Sequence, residues 1–533
     1  MNQFLHDMKK ETNFTTTENG AGAYKSTLNA CLDMFGSMGA MRHSDDAEIQ
    51  SMFEKAFRED PDFAVKMAFY FRDIRGGQGT RRQFRLIMQW LATHDEAYYV
   101  INNLTNFMEY GRGDDYLCLL DTPIACRVMD VMMSTLKADY IHMKEGKPIS
   151  LLAKWMPSEN ASSEQTKKYA RQFCRYVKWT PKNYRMLLSM LRSYLKVVEV
   201  KMSAREWNSI DYETVPAKAA MIYSDAFERH DNYGYDQYLI KLAMGEVDVK
   251  AASLYPVDIV HKALTAGNST RKDRILLDAM WNKLPNYLEG KEETGICVVD
   301  VSGSMYGQPI EVAISLGMYC ADKCRGPFAN HFITFSSSPE LVEVTGKDIL
   351  DKVQNIERAN WDGSTNLEAV FDLMLRTAIQ NKTPKADMPQ KLYIISDMQF
   401  DEARGVGRYY YSRGHYGRMD TTEPFMQTMK RKYAAAGYDM PAIVYWNVRA
   451  SQCGMFQSTF EGENCCMVSG YSASLFKSVI EGTTYEVEEV TVYDADMEQT
   501  KSVQTLKANI DPMTVMQTAV NNERYDAVWT RNK

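Results

Sequence analysis

Hydrophobic residues recur at three- and four-residue intervals through the first half of the chain, the spacing of one face of an α-helix. Five segments show this spacing most clearly: 60–74, 81–94, 126–141, 166–179 and 182–202. Glycine-containing segments at 75–79 and 110–115 interrupt the series. Because the helical segments follow one another without an intervening strand, the pattern predicts a helical-repeat domain over residues 24–290.

The pattern changes near residue 290, where short apolar runs begin to alternate with segments of helical spacing. The apolar runs predict strands at 295–301, 331–335, 341–344, 391–396, 441–448 and 465–470. The other segments predict helices at 310–324, 366–380, 425–437 and 472–482. Strands that alternate with helices predict a doubly wound, mostly parallel sheet over residues 291–483.

Together the two patterns predict an α + α/β multidomain protein. We expect residues 1–23 to form an N-terminal tail. Residues 484–533 are expected to form a C-terminal extension that packs back on one of the two domains, with a short β-prone stretch followed by a helix.

Composition agrees with this architecture and excludes several classes of protein. The chain has 533 residues, 45% of them hydrophobic and 25% charged, as in ordinary globular proteins. It has no apolar run of transmembrane length and no apolar segment of signal-peptide type, so we expect a cytoplasmic protein without a membrane span. The 10 cysteines are scattered without a CxxC pair, which favours reduced thiols.

Enzyme motifs are missing from the sequence as well. There is no HExxH, no Cys/His cluster with zinc spacing and no GxxxxGKS/T, which argues against a zinc hydrolase and a P-loop NTPase. No nucleophile–base pair is evident either. We therefore expect a protein that is not an enzyme.

Oxygen-bearing side chains follow three segments of the predicted sheet domain. Asp300, Ser302 and Ser304 follow the first strand, Thr365 opens the helix at 366–380, and Asp397 follows the strand at 391–396. Because ligands bind at the carboxyl ends of parallel strands, these side chains are expected to meet at one edge of the sheet. Hard oxygen donors suit Mg²⁺ or Mn²⁺. The alternative is that the DxSxS segment is only a turn with a helix N-cap.

Positive charge is concentrated in residues 165–205, which contain eleven Lys or Arg and a single acid, Glu199. Lys168, Arg171, Arg175 and Lys178 are spaced by three or four residues, which places them on one helix face. Tyrosines and Trp179 are interleaved with them. A basic stripe with aromatic residues is the footprint expected for a nucleic-acid backbone. The alternative is a solvated face that the acidic remainder of the chain neutralises.

Two further loops carry arginines. The first, 75–79, is bracketed by Arg72, Arg75, Arg81, Arg82 and Arg85. It could bind a phosphate or be a solvated loop, and the sequence favours neither. The second, 404–418, mixes tyrosines and glycines with Arg408 and Arg413 and is expected near the metal edge. Such mixtures stack on unpaired bases. The alternative, which the sequence favours, is an exposed insertion or a protein-docking loop.

The segments VVDVSGSM (298–305), WDGSTNLEAVFDLML (361–375) and YIISDMQFDEA (393–403) resemble the metal-ion-dependent adhesion site of von Willebrand A domains. The resemblance implies that Asp300, Ser302 and Ser304 come from the first loop of that site, Thr365 from the second and Asp397 from the third. It also implies a metal that mediates binding rather than catalysis, with one position open for a partner's carboxylate or another anion. Met398 departs from the pattern, because many relatives have glycine there.

The order of the other segments, including 60–84, AKWMPS (153–158) and 211–231, resembles a family of helical-plus-von-Willebrand-A proteins distantly similar to the Ro (TROVE) RNA-binding proteins. That similarity implies HEAT-like helical repeats that form a ring or arc with the A domain. The segment RQFCRYVKWTPKNYRMLL (171–188) resembles the Ro helix pair that faces RNA, which adds Lys182 to the candidate RNA contacts.

From these observations we expect an RNA-binding protein for small structured or misfolded RNA, monomeric and carrying Mg²⁺ or Mn²⁺. An acidic protein ligand at the metal is a further expected partner. The alternative is a metal-dependent protein-docking module that binds no RNA.

Overall fold

The computed structural model describes residues 8, 12–265, 270–290, 294–335, 338–357, 366–401, 409–412, 415–418, 425–450, 455–494 and 499–531. Its architecture is α + α/β, with a helical region followed by a mostly parallel sheet. Within these residues, no helix is both long enough and apolar enough to cross a membrane.

The α-helices are α1 (Ala30–Ser37), α2 (Asp46–Glu59), α3 (Pro61–Arg72), α4 (Arg81–Thr93), α5 (Ala97–Asn103), α6 (Phe107–Tyr110), α7 (Ala125–Lys144), α8 (Leu152–Trp155), α9 (Glu164–Tyr176), α10 (Pro181–Tyr194), α11 (Val198–Ser203), α12 (Ala217–His230), α13 (Asn232–Ala243), α14 (Pro256–Thr265), α15 (Arg271–Asn282), α16 (Gln308–Lys323), α17 (Ile349–Glu357), α18 (Leu367–Asn381), α19 (Phe425–Ala435), α20 (Ser474–Glu481) and α21 (Pro512–Val520).

The strands are β1 (Phe14–Thr16), β2 (Gly22–Tyr24), β3 (Gly295–Asp300), β4 (His331–Phe335), β5 (Leu341–Glu343), β6 (Lys391–Ser396), β7 (Tyr409–Ser412), β8 (His415–Arg418), β9 (Ala442–Asn447), β10 (Cys465–Ser469), β11 (Thr483–Asp494) and β12 (Gln499–Ile510). Strands β7 and β8 pair as an antiparallel hairpin within the segment that the sequence analysis interpreted as a loop.

The chain divides into two compact units. The helical unit comprises Asp45–Leu254, Asn268–Pro285 and Val520–Lys533, and the sheet unit comprises Met1–Ser44, Tyr255–Gly267 and Asn286–Ala519. The first 44 residues thus belong with the sheet, whereas the sequence analysis treated 1–23 as a tail and placed 24–44 with the helices. The C-terminal extension is also divided, since its last residues belong with the helical unit.

Local sequence signals begin the helices of the helical unit. The Asp60 carboxylate accepts a hydrogen bond from the Phe63 amide at 3.0 Å, and Pro61 occupies the first turn of α3. Thr180 and Pro181 start α10 in the same way. The single helix expected at 182–202 is broken into α10 and α11, and Lys196 lies between them with a positive φ of 50°. A left-handed residue ends a helix because it turns the chain away from the helix axis.

Aromatic rings fill the core of the helical unit. Phe69, Phe84 and Phe107 form edge-to-face pairs with ring centroids 5.2–6.0 Å apart. The C-terminal segment joins this unit through Tyr525, whose ring lies 5.6 Å from that of Tyr110. Helix α21 ends at Val520, whereas the sequence pattern predicts a helix over 512–529 in the extension.

The sheet has the strand order β10-β9-β6-β3-β4-β5, in which β5 alone runs antiparallel to its neighbour. Strands β3, β6 and β10 are entirely buried because helices cover a parallel sheet on both faces. From β3 the chain continues to β4 on one side, whereas from β6 it continues to β9 on the other. The carboxyl ends of β3 and β6 therefore flank the switch point at which such sheets bind ligands.

The N-terminal segment packs against the same sheet. The Ser469 hydroxyl donates to the Phe35 carbonyl at 2.8 Å and accepts from the Gly39 amide at 3.0 Å. At the other end of the chain, β11 and β12 form a hairpin of twelve residues a strand, longer than the short β-prone stretch that the sequence predicted.

Replacing Gly39 with alanine is expected to lower the free energy of unfolding of the sheet unit by about 1–3 kcal/mol. The added Cβ would lie 2.2 Å from the carbonyl oxygen of Ser469. Gly36 is the matched control, because its Cβ would meet Met467 at an ordinary 3.4 Å, and its replacement should change stability by less than about 1 kcal/mol. Urea denaturation measures both, and equal effects would contradict the packing of this segment on β10.

Candidate metal centre and nucleic-acid interface

The register of β3 and β6 brings two carboxylates to the switch point of the sheet. Val299 pairs with Ile395, so that Asp300 lies beside Ser396 at the ends of the two strands. The Ser396 hydroxyl donates a hydrogen bond to Oδ2 of Asp300. Asp397 follows Ser396 directly, and the side chains of both aspartates are buried. Two of the five predicted metal ligands are therefore neighbours within the sheet unit.

The loop after β3 adds two hydroxyl groups to this edge. The Ser302 amide donates to Oδ1 of Asp300 at 2.9 Å, which folds the loop back over the carboxylate. A 3₁₀ turn at Gly303–Met305 then places the Ser302 and Ser304 hydroxyl oxygens 3.1 Å apart. The Ser304 hydroxyl also hydrogen bonds to Asp397. Asp300, Ser302, Ser304 and Asp397 thus form one connected group of oxygen atoms.

The residue after Asp397 has an unusual backbone conformation. Met398 has a positive φ of 65°, a region in which a side chain is strained and glycine is not. Its amide donates to the Ser396 hydroxyl at 3.1 Å, and the Gln399 amide donates to Oδ1 of Asp397 at 3.1 Å. This conformation explains why glycine suits the position at which the sequence departs from the von Willebrand A pattern.

Burial makes this site unfavourable for negative charge. The pKa of Asp300 is raised to about 6, mainly by burial and also by the neighbouring Asp397 carboxylate, against hydrogen bonds from Ser396 and Ser302 that lower it. The pKa of Asp397 is also raised, mainly by burial, although Ser304 and Arg449 oppose the shift. Two buried carboxylates that repel each other are stabilised by a cation placed between them.

Three residues of this edge were not identified from the sequence. Ser396 is the last residue of the predicted strand and directly precedes Asp397. The sequence pattern could therefore have identified it. Arg449 donates to the Ser304 carbonyl oxygen, and Glu18 adds to the raised pKa of Asp397. Thr17, beside Glu18, donates its hydroxyl to the Phe400 carbonyl at 2.7 Å. These contacts join residues that are more than a hundred positions apart in the chain, so no local sequence pattern predicts them.

Three predicted site residues, Thr365, Arg408 and Arg413, lie outside the described residues. The adjacent Asn366 caps α18 by accepting from the Ala369 amide at 3.1 Å. In the described part of the chain, no group of three or more His, Cys, Asp or Glu side chains is arranged to hold a metal. The site at Asp300 differs from such a group, because two of its four described donors are serine hydroxyls.

The candidate RNA residues separate into two groups. Lys168 forms an ion pair with Asp121 at 2.7 Å. Arg171, Arg175, Lys178 and Lys182 are exposed and form no ion pair with any residue that the structure describes. Other cations of this stretch are engaged: Arg185 pairs with Glu159, and Arg192 donates to the Ala153 and Met156 carbonyls. The unpaired cations lie along α9, the turn at Lys178 and the first turn of α10.

Most arginines around the 75–79 loop are held by acidic side chains. Asp115 is fully buried and accepts from Arg72 Nε and Arg85 Nε, each at 2.7 Å. Exposed Arg82 pairs with Asp46, and Arg75 lies 3.7 Å from Glu109. The amides of Arg75 and Gly76 donate to the Asp73 carboxylate, so the loop itself offers few free donors to a phosphate.

Comparison with known proteins places the chain in a family. Residues 294–520 match "Domain of unknown function (DUF7788)", and residues 17–110 and 160–293 match "Domain of unknown function (DUF2828)". The chain is 31% identical over 507 residues to "Uncharacterized protein L728" of Acanthamoeba polyphaga mimivirus, which covers 88% of this chain and 85% of the viral protein. The chain belongs to the family of that viral protein. None of these matched descriptions names an enzyme.

Replacing Asp115 with alanine is expected to lower the free energy of unfolding of the helical unit by about 3–5 kcal/mol, because it leaves the buried Arg72 guanidinium without its counterion. Replacing the exposed Asp46, which pairs with Arg82, should cost less than about 1 kcal/mol. Chemical denaturation compares the two variants. Similar losses in both would show that Asp115 is not a structural anion.

Proposed function

We propose that the protein is a non-enzymatic RNA-binding protein whose sheet unit holds a divalent cation. The observation that carries the RNA part is the group of exposed cations without ion-pair partners on α9, the following turn and α10: Arg171, Arg175, Lys178 and Lys182. We call this group the basic stripe. It lies in a chain whose formal net charge is −7, so it is a local feature rather than a consequence of composition.

The basic stripe lacks ion-pair partners, although neighbouring cations on the same helices have them. Lys167, Lys168 and Arg185 lie on the same two helices, and each has an acidic partner within 3.0 Å. Among the residues that the structure describes, acidic side chains thus form ion pairs with the cations beside the stripe but none with the stripe itself. A phosphate backbone supplies evenly spaced negative charges that suit such a row, and binding releases counterions. Contacts of this type position an RNA by its shape rather than its sequence.

For the metal part, the described residues fit a hard divalent cation. Asp300 and Asp397 would hold Mg²⁺ or Mn²⁺ together with the Ser302 and Ser304 hydroxyls, and Thr365 is the predicted fifth protein ligand. The ion would supply a point of attachment for a carboxylate or another anion. Of the four described donors, Ser304 is the exposed one, so the group reaches solvent at that residue.

The second candidate is a metal-dependent protein-docking module. The observation that favours it is the same oxygen cluster, since a cation at an open sheet edge suits an acidic side chain of a partner. In this function the basic stripe would meet an acidic protein surface instead of RNA.

Removing the positive charges of the basic stripe should lower the affinity for RNA. It should also make that affinity depend less on the salt concentration. Replacing Arg171, Arg175 and Lys178 with glutamine removes three phosphate contacts, so the slope of log K against log salt should fall by about 2 for single-stranded RNA. Fluorescence anisotropy with a labelled RNA over a range of salt concentrations measures this slope.

The control variant removes the same charge from paired cations. Arg58, Arg185 and Lys283 are exposed and bound to acidic partners. Their replacement with glutamine should leave the slope nearly unchanged. If both triple variants bind RNA as the wild type does, or if the wild type binds none, the RNA proposal fails and the docking module takes its place.

The metal proposal predicts that wild-type protein binds about one Mn²⁺ and that Asp300→Asn binds none. The asparagine removes a buried charge, so this variant should keep its stability in chelator and yet gain none when Mn²⁺ is added. Asp372→Ala, which removes a half-exposed carboxylate on α18, is the control and should bind Mn²⁺ normally. Calorimetry and thermal unfolding report the two effects. Normal Mn²⁺ binding by Asp300→Asn would rule out this site.

A further inference from the structure

The turn that joins β1 to β2 packs on the segment that follows β6, nearly four hundred residues later in the chain. The Thr17 hydroxyl is buried and donates to the Phe400 carbonyl at 2.7 Å. The Glu18 amide donates to the side-chain carbonyl of Gln399 at 2.9 Å, and the Asn19 side-chain amide donates to the main-chain carbonyl of the same residue at 2.8 Å. Three hydrogen bonds therefore join one tight turn to two consecutive residues.

The turn itself is held in one shape by its own hydrogen bonds. The Gly20 amide donates to the Thr17 carbonyl at 3.0 Å, and the Thr17 amide donates to the Ala21 carbonyl at 2.8 Å. The Thr17 hydroxyl also accepts from the Ala21 amide at 2.9 Å. An antiparallel bridge between Gly20 and Asp401 extends the contact with the segment after β6. One hydroxyl group, that of Thr17, thus both closes the turn and joins it to Phe400.

The segment that the turn contacts begins at Asp397, one of the two carboxylates of the candidate metal site. The Gln399 amide donates to Oδ1 of Asp397 at 3.1 Å, and Gln399 is itself buried. Between these two residues, Met398 has a positive φ of 65°. A side chain in this conformation is strained, and such strain persists only where the surrounding structure holds the backbone in place. The hydrogen bonds from the β1–β2 turn to Gln399 and Phe400 supply that support.

We propose that the β1–β2 turn is a clamp that holds Asp397 in position for the cation, with Thr17 and Gln399 as positioning residues. The inference rests on the metal site of the proposed function and adds a coupling between that site and the N-terminal segment. Neither residue would bind the cation itself. Thr17 fixes the segment at Phe400, and the Gln399 amide orients the Asp397 carboxylate.

The clamp should raise the affinity of the site for a cation. Carboxylates that bind a metal are oriented by their own hydrogen bonds, and loss of these bonds weakens metal binding. Without the clamp, Met398 could leave its strained conformation, and the Gln399 amide would then no longer hold Oδ1 of Asp397. Only a fraction of the molecules would have the binding arrangement, so the apparent dissociation constant would rise.

Replacing Thr17 with valine tests the clamp, because valine removes the hydroxyl group and keeps the size of the side chain. Calorimetry with Mn²⁺ should give a dissociation constant about tenfold higher than that of wild type. Thr17→Ser restores the hydroxyl group and should bind Mn²⁺ nearly as wild type does. The matched control is Thr16→Val, which changes an exposed threonine on β1 and should leave the affinity unchanged.

Asn19→Ala gives the same test if Thr17→Val does not fold, since Asn19 is exposed. This variant removes the hydrogen bond to the Gln399 carbonyl. It should raise the dissociation constant for Mn²⁺ by about two- to fivefold.

Hydrogen exchange read by mass spectrometry measures the reciprocal effect, because coupling between two sites acts in both directions. Saturating Mn²⁺ should slow exchange in peptides that contain the Glu18 and Ala21 amides about tenfold in wild type. It should have no such effect in Asp300→Asn, which lacks one carboxylate of the site.

Two results would overturn the clamp and leave the metal site in place. The first is equally tight Mn²⁺ binding by wild type, Thr17→Val and Asn19→Ala. The second is exchange in the β1–β2 turn that does not respond to bound Mn²⁺. If wild type binds no Mn²⁺, the metal site itself is rejected, and the clamp with it.

Discussion

The pairing of β3 with β6 is the constraint on which the sheet unit depends. It sets the ends of two parallel strands side by side at the point where the connections leave in opposite directions. One consequence is a buried serine–aspartate contact between Ser396 and Asp300. Another is that Asp397 lies next to Asp300; burial raises the pKa of both carboxyl groups, and the Asp397 carboxylate adds to the shift of Asp300. We propose that a cation joins them, because a cation offsets the cost of burying two like charges.

In the helical unit, two neighbouring carboxylates are paired with arginines rather than placed beside each other without a cation. Buried Asp115 and half-buried Asp114 tie together arginines from three segments and so fix the first turn of α4 against the 3₁₀ helix Gly113–Leu119. At the surface, acidic side chains pair with some cations and leave others open to solvent. The basic stripe belongs to the open group, which is why we propose it as the surface that meets an external anion.

The sequence predicts the parts of this molecule that rest on local patterns. Strands β4 and β6 begin and end at the predicted residues, because unbroken apolar runs mark buried parallel strands. The oxygen donors at Asp300 and Asp397 follow from strand order alone. The packing of the first 44 residues on the sheet does not, since it depends on contacts such as Thr17 with Phe400, nearly four hundred residues away. The long β11–β12 hairpin was underestimated because its second strand, QTKSVQTLKANI, is mostly polar.

The most direct test of the central claim is a crystal structure of the protein grown with Mn²⁺, with data collected to locate the metal by its anomalous scattering. The account predicts an anomalous peak at the carboxyl ends of β3 and β6, within bonding distance of Asp300 or Asp397 and of the Ser302 and Ser304 hydroxyls. A well-ordered sheet edge with no peak there at millimolar Mn²⁺ would contradict it.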